Sequence, residues 1–354
     1  MTARAGKNRW HRRPEGATWG DYGADDQLGR LNELTPEKVL AGIAEVKEGR
    51  TFCLSLPLDY PGGNILNPRR HPPVIRPTAR PGAVNFLFEG RKVDPAFTDV
   101  INDDVAVLHL QYSTQWDSLA HVGAWFDADN DGTPEPVFYN GFRGGIEIRG
   151  PSDPKDAGAI GSFEARTTTD VRALSVAVMA EACIQGRAVL IDLHAHFGRE
   201  RRLVGYDDLM RVMAADSIKV EPGDLLCLRT GFDRVILEMG RTPDAQRLET
   251  SCAALDGTDQ RLLDWIGQSR IAALIADNYA VEAFPARPVP GACAMLPLHQ
   301  HCLFKLGLNL GELWNLSELA DWLRANNRSR FLLTAPPLRL PGAVGSPATP
   351  VATV

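Results

Sequence analysis

Gln111-Tyr-Ser-Thr-Gln-Trp-Asp-Ser-Leu-Ala-His121 is the stretch on which the reading of this chain turns. It gathers two amides, a carboxylate and an imidazole into a single short segment. Gln111, Gln115, Asp117 and His121 stand even numbers of residues apart, and on an extended strand such positions share one face. The run before it, Val105-Ala-Val-Leu-His-Leu110, is apolar and β-branched, as a strand delivering them would be. A shared face of this composition suits a divalent metal; a polar edge strand serving only sheet and solvent is the plain alternative. Trp116, interleaved with the quartet, suits an aromatic wall facing a substrate.

Working outward, Leu296-Pro-Leu-His-Gln-His-Cys-Leu-Phe-Lys-Leu-Gly-Leu-Asn-Leu-Gly-Glu-Leu-Trp314 carries His299 and Glu312, a second pair of possible ligands. By themselves they also read as a core histidine and a capping carboxylate. Val189-Leu-Ile-Asp-Leu-His-Ala-His196 is a competing centre, because two histidines two apart at a strand end can grip one metal, as in barrel-type amidohydrolases. That site also needs a lysine and further histidines on successive strands, and only His299 and His301 follow, about a hundred residues later. Asp127-Ala-Asp-Asn-Asp-Gly132 matches the first half of a calcium loop, but Phe138 stands where the closing glutamate belongs, so an acidic surface turn is the better reading. Phosphate-binding glycine loops and a GxSxG nucleophile elbow are absent from the sequence.

With 44% hydrophobic and 23% charged residues, the 354-residue chain has an ordinary globular composition and ample material for a core. A net charge of −6 argues against a nucleic-acid binder, despite a basic cluster of Arg4, Lys7, Arg9, Arg12 and Arg13 that reads as a ragged arm. No apolar run is long enough to span a membrane and no secretion-type apolar segment opens the chain. Six cysteines without CxxC spacing suit a reduced, cytoplasmic protein. Helix signals over 36–48, 174–185, 206–215, 259–269 and 317–325 alternate with short apolar strands at 51–57, 187–193, 224–229, 271–276 and 330–334, which implies an α/β layered core. The expected organisation is an N-terminal arm over 1–30, one domain over 31–340 and a loose tail over 341–354. Residues 60–103, rich in Pro, Gly and Arg, look like an excursion from that domain.

Taken together, the first two constellations resemble the cyclase family of metal-dependent hydrolases, which includes the bacterial kynurenine formamidases. That family carries a motif of the form HxGTHxDxPxH. Here Thr114, Asp117 and His121 match it, Gln111 and Gln115 stand at the two ligand histidines, Ser113 replaces the glycine and Leu119 the proline. The glutamine version, QxxxQxD, is similar to a subgroup that includes trans-dienelactone hydrolase. Trp19-Gly-Asp-Tyr-Gly, Leu31-Asn-Glu-Leu-Thr-Pro-Glu37, Tyr139-Asn-Gly141, Pro222-Gly-Asp224 and Arg229-Thr-Gly231 agree with it in order.

The resemblance implies a single swivelling β/β/α domain, a mixed sheet flanked by helices, with Gln111, Gln115, Asp117, His299 and Glu312 as ligands of a divalent Mn or Zn. It implies His121 as general acid/base and a homodimer or larger assembly. The reaction to expect is hydrolysis of a lactone, an ester or a cyclic or aryl amide. Trp116, Trp125, Phe126 and Tyr139 are the aromatic candidates for a pocket holding a flat or cyclic substrate. Two other readings stand beside it: the barrel amidohydrolase on His194 and His196, and a family member that only binds a small molecule.

Overall fold

Nine strands build one curled mixed sheet: β1 (Thr51–Cys53), β2 (Gln115–Asp117), β3 (Gln185–Asp192), β4 (Leu225–Arg229), β5 (Ala273–Ala276), β6 (Asn309–Glu312), β7 (Arg330–Thr334), β8 (Gly345–Pro347) and β9 (Val351–Thr353). Their order across the sheet is β1-β9-β7-β3-β4-β5-β6-β2-β8. The central strands β3, β4, β5 and β6 run parallel, and the flanking pairs are antiparallel. The structure is a computed structural model that describes residues 9–158 and 166–354; Arg4 and Lys7 of the basic cluster lie outside them.

The parallel centre follows from its sequence. Strands that are apolar on both faces must be covered on both, and helices cover them here. Val189, Ile191, Leu226, Leu228, Leu274 and Ala276 point to one side, against Leu209 and Val212 of α1 (Tyr206–Ala215) and Leu262 and Ile266 of α2 (Gln260–Ser269). Ala188, Leu190, Leu225, Cys227, Ala273 and Ile275 point to the other, against Leu319, Ala320 and Leu323 of α3 (Ser317–Ala325). Asp259 caps α2 by accepting from the backbone N–H groups of Arg261 and Leu262.

Several expectations are corrected. The C-terminal residues are not loose: β9 sits between β1 and β7, and β8 closes the far edge against β2. The arm is not ragged where it is described. Trp19 is fully buried and donates through Nε1 to the Phe304 carbonyl at 2.8 Å, and Arg9 lies 4.0 Å over the Phe142 ring. The run at Val105 does not continue into the motif. Asp104–Val107 instead pairs with Val74–Pro77 as a ribbon of the excursion, and the motif strand itself has only three residues.

The barrel reading also fails. The sheet is open, and β3 ends at Asp192, whose carboxylate caps the short helix Leu193–Phe197 by accepting from the Ala195 N–H. His194 and His196 therefore stand on a helical turn. There His194 Nδ1 meets the Gly198 carbonyl, and His196 Nε2 lies 2.9 Å from Asp216.

Candidate metal centre

Strand alternation does half of the assembly. Gln115 and Asp117 leave β2 on one side while Trp116 leaves it on the other. Glu312 lies directly across the ladder from Gln115, on β6. His299 ends the turn Pro297–His299, which continues as a π-helical segment, Gln300–Leu306, held from outside by Thr18 and Trp19. One ligand atom each from Asp117, His299 and Glu312 fall within 4.8 Å of one another, and all three residues are buried. His299 Nε2 is 3.0 Å from Glu312 Oε1 and 3.8 Å from Asp117 Oδ2.

The glutamines and His121 complete the cluster by another route. Gln111 and His121 lie in turns before and after β2, so their convergence owes nothing to strand parity. Gln111 donates from Nε2 to Asp117 Oδ1, and the same nitrogen lies 3.3 Å from His121 Nδ1. His121 Nε2 is 4.0 Å from Asp117 Oδ2. Gln115 donates from Nε2 to Glu312 Oε2 at 3.1 Å and to Asp117 Oδ1 at 3.4 Å. Gly345 of β8, opposite Asp117, makes the room: a Cβ there would collide with the Gln111 side chain.

The donor set fits a divalent cation. Asp117 Oδ2, which lies 3.8 Å from His299 Nε2, and Gln115 Oε1 are both buried with no hydrogen-bond partner, a costly state for either oxygen. The electrostatics agree. Burial pushes the Asp117 carboxyl up and neighbouring Glu312 adds to this, against the pull of His121 and His299. Burial would also raise Glu312, but its bond to His299 together with the charges of His299, Arg70 and His121 holds it down. His299, which burial would depress, is pushed up to about 10 by Glu282 and Glu312. Without a metal, a proton on His299 is what balances these carboxylates.

The structure corrects two of the four aromatic candidates, Trp116 and Tyr139. Trp116 is fully buried, donates to the Ala335 carbonyl at 2.7 Å and packs edge-on to Trp314 at 5.1 Å, so it belongs to the core. Tyr139 is fully buried with its hydroxyl on Asp26. Phe126 is partly buried, edge-on to Trp19 and Phe304, and Trp125 is 72% exposed on the strand Ala124–Phe126.

The residues that border the cluster come from elsewhere. Leu66, Asn67, Arg70, Gln111, Tyr112 and Tyr279 line a cleft beside it. Leu66 and Tyr279 also line an adjoining pocket with Ile65, Arg201, Phe232, Leu248 and Phe284. Arg70 donates to the Gln111 carbonyl at 2.5 Å. Leu66, Asn67, Arg70, Tyr279 and Phe284 show no spacing signal, because the excursion and the 278–284 loop reach the site only through the tertiary fold. Asp127, Asp129 and Asp131 do gather at the surface, but Asp127 and Asp131 accept from the loop's own N–H groups, as an acidic turn does.

The sequence profile of the cyclase family, described as "Putative cyclase", matches residues 54–283. The chain belongs to the cyclase family. The matched region contains the Gln111–His121 stretch and ends before His299 and Glu312, so within this family member the fold is what joins the two halves of the cluster. A solved structure described as a novel cyclase is 29% identical, with a TM-score of 0.71 over 98% of this chain and 100% of the other. Isatin hydrolase A from Ralstonia solanacearum shares the fold at 18% identity and a TM-score of 0.54, over 90% of this chain and 97% of that one. Isatin hydrolase A from Labrenzia aggregata, solved with benzyl benzoate, shares it at 14% and 0.53, over 89% and 97%. No curated protein matches this cyclase-family chain. Among the described residues, no helix is long and apolar enough to cross a membrane.

Proposed function

We propose that the chain is a metal-dependent hydrolase that adds water to the carbonyl of a lactone, an ester or a cyclic or aryl amide. The observation that carries this reading is the buried, partnerless Asp117 Oδ2, gathered with the ligand atoms of His299 and Glu312. Asp117, His299 and Glu312 would hold the ion. Gln111 and Gln115 would join them by turning their amide oxygens inward. One imidazole among several oxygens is a hard donor set, which favours Mn²⁺ over Zn²⁺ more than a histidine-rich site would. The two glutamines also support placing the chain in the QxxxQxD subgroup. When bound, such an ion polarises a carbonyl and acidifies water.

The chain's own residues supply the rest. With its amide oxygen turned inward, Gln111 would accept from the His121 Nδ1–H and leave Nε2 free to take up and return the proton. Water's oxygen bonds to the carbonyl carbon, the C–O or C–N bond breaks, and the water proton ends on the leaving oxygen or nitrogen. Tyr112, Tyr279, Leu66 and Phe284 offer an apolar wall for a flat or cyclic substrate, with Arg70 and Arg201 as polar groups on its border. His121→Ala should lower turnover about 10²–10⁴-fold with metal content intact; loss of the metal along with activity would overturn the assigned role.

One observation favours the other reading, a binding protein without metal: the Gln115 amide already donates to both Asp117 and Glu312. Metal analysis of the purified chain separates the two. We also infer a homo-oligomer, because Phe86, Leu87, Val93 and Phe97 of the excursion stand about half or more exposed and apolar side chains in such a group suit a second copy. Six unpaired cysteines suit a reducing, cytoplasmic setting.

A further inference from the structure

Glu282 is a buried charge that ligation of an ion does not account for. It is 1% exposed, and among the described residues its only ion-pair partner is His299. A buried carboxylate without a lysine or arginine is expensive, so its position calls for a reason other than stability. Its oxygens are spent entirely on the segment that carries His299. Oε1 accepts from the His299 backbone N–H at 2.9 Å and faces the ring Nδ1 at 2.8 Å, while Oε2 accepts from the Leu298 N–H at 3.0 Å.

The backbone is forced into place to achieve this. Ala280 and Val281, immediately before Glu282, both take positive φ, at 71° and 57°. For β-branched Val281 that is a true outlier, since Cβ crowds the neighbouring carbonyl there. Strain of this kind persists only where the surroundings over-determine it. They do so here. The Leu313 N–H donates to the Asn278 carbonyl, and Leu255 and Ala283 are joined backbone to backbone. Across the gap stands Gly257, whose missing side chain is a condition of the arrangement, because a Cβ would collide with Glu282 Oε2 and lie 3.0 Å from the Leu298 nitrogen.

We propose that Glu282 is the positioning residue for His299: it accepts the Nδ1 proton and thereby leaves Nε2 as the nitrogen presented to Asp117 and Glu312. The geometry is that of a carboxylate fixing the ring orientation and tautomer of a ligating imidazole. The inference rests on the metal-site reading, and neither spacing nor motif marks Glu282 in the sequence.

The test uses the full chain and Mn²⁺ or Zn²⁺ alone, with affinity measured by competition against a chromophoric chelator. Glu282→Gln should weaken metal binding about 10–100-fold. Gly257→Ala, which leaves every charge in place, should weaken it in the same direction. The ¹⁵N spectrum of the zinc-loaded chain supplies a signature that a merely structural residue would not move. In the unaltered protein His299 should show a protonated Nδ1 and a coordinated Nε2, and Glu282→Gln should mix the two nitrogens. Unchanged affinity in both variants overturns the proposal, as does a weakened Glu282→Gln whose Nδ1 proton stays in place. Failure of the unaltered chain to take up either ion would instead sink the metal reading, and the inference with it.

Discussion

Asp117→Asn is the most informative single change, because the structure assigns opposite effects to it in the two states of the protein. Asn keeps the shape and retains an oxygen to accept from Gln111 and Gln115. It removes a fully buried negative charge whose Oδ2 has no partner and which burial and Glu312 both disfavour. An unpartnered buried charge costs more than an unpartnered buried amide, so the exchange should stabilise the metal-free chain by about 1 kcal/mol or more. In a chain of this size that amounts to a rise of only a few degrees in melting temperature. With metal the sign reverses. An ion at a thousandfold over its dissociation constant stabilises a protein by about 4.1 kcal/mol. If loss of an anionic ligand weakens the ion a hundredfold, the same concentration contributes only about 1.4 kcal/mol. Scanning calorimetry of chelator-treated protein, with and without added Mn²⁺, reads both numbers. A metal-free variant less stable than the parent, or one that keeps the full metal-induced shift, would refute the reasoning.

Three other outcomes follow from the same structure. Trp116→Ala should cost about 3–5 kcal/mol by opening a cavity against Trp314 and freeing the Ala335 carbonyl, measured by urea unfolding, while leaving preference among substrates unchanged. His301, buried beside Lys305, is pulled down to about 4, chiefly by burial, so its contribution to stability is complete above the unfolded value of 6.5 and is lost as pH falls toward 4. That loss is up to about 3 kcal/mol, and urea midpoints of His301→Gln should be correspondingly flatter between pH 7 and 4. Removing residues 345–354 strips β8 and β9 from the sheet, leaving β1 without its strand partner, and should abolish soluble folded protein as judged by size-exclusion chromatography.

The layered core was legible because its signals are local. Apolar runs such as Arg187–Leu193 and Asp224–Arg229 have too few polar residues to be anything but buried strands. The α1 and α2 segments carry both an amphipathic stripe and clear ends, and their observed bounds match or nearly match the expected ones. Gly345–Pro347 and Val351–Thr353 were illegible for the converse reason. Three-residue strands in a Pro- and Gly-rich tail have no periodicity, and they exist only because β2, β1 and β7 offer them open edges. Trp116 misled because an aromatic residue between two polar ones reads equally well as a wall or as a core side chain. Only the second face of the sheet, with Trp314 on it, decides between them.

In the Gln111–His121 stretch the sequence alone determined which chemical groups are available and, through strand alternation, that Gln115 and Asp117 would face the same way. It also placed two amides at the histidine positions of the motif it resembles. Tertiary structure decided the rest. Glu312 meets Gln115 because β6 pairs with β2, His299 arrives on a separate π-helical turn, and Glu282 reaches it from a strained loop seventeen residues earlier. The physical reason is that a buried metal centre needs donors from several directions around one point. A single strand or helix offers only one face, so the remaining donors must come from segments whose nearness is set by packing and not by spacing.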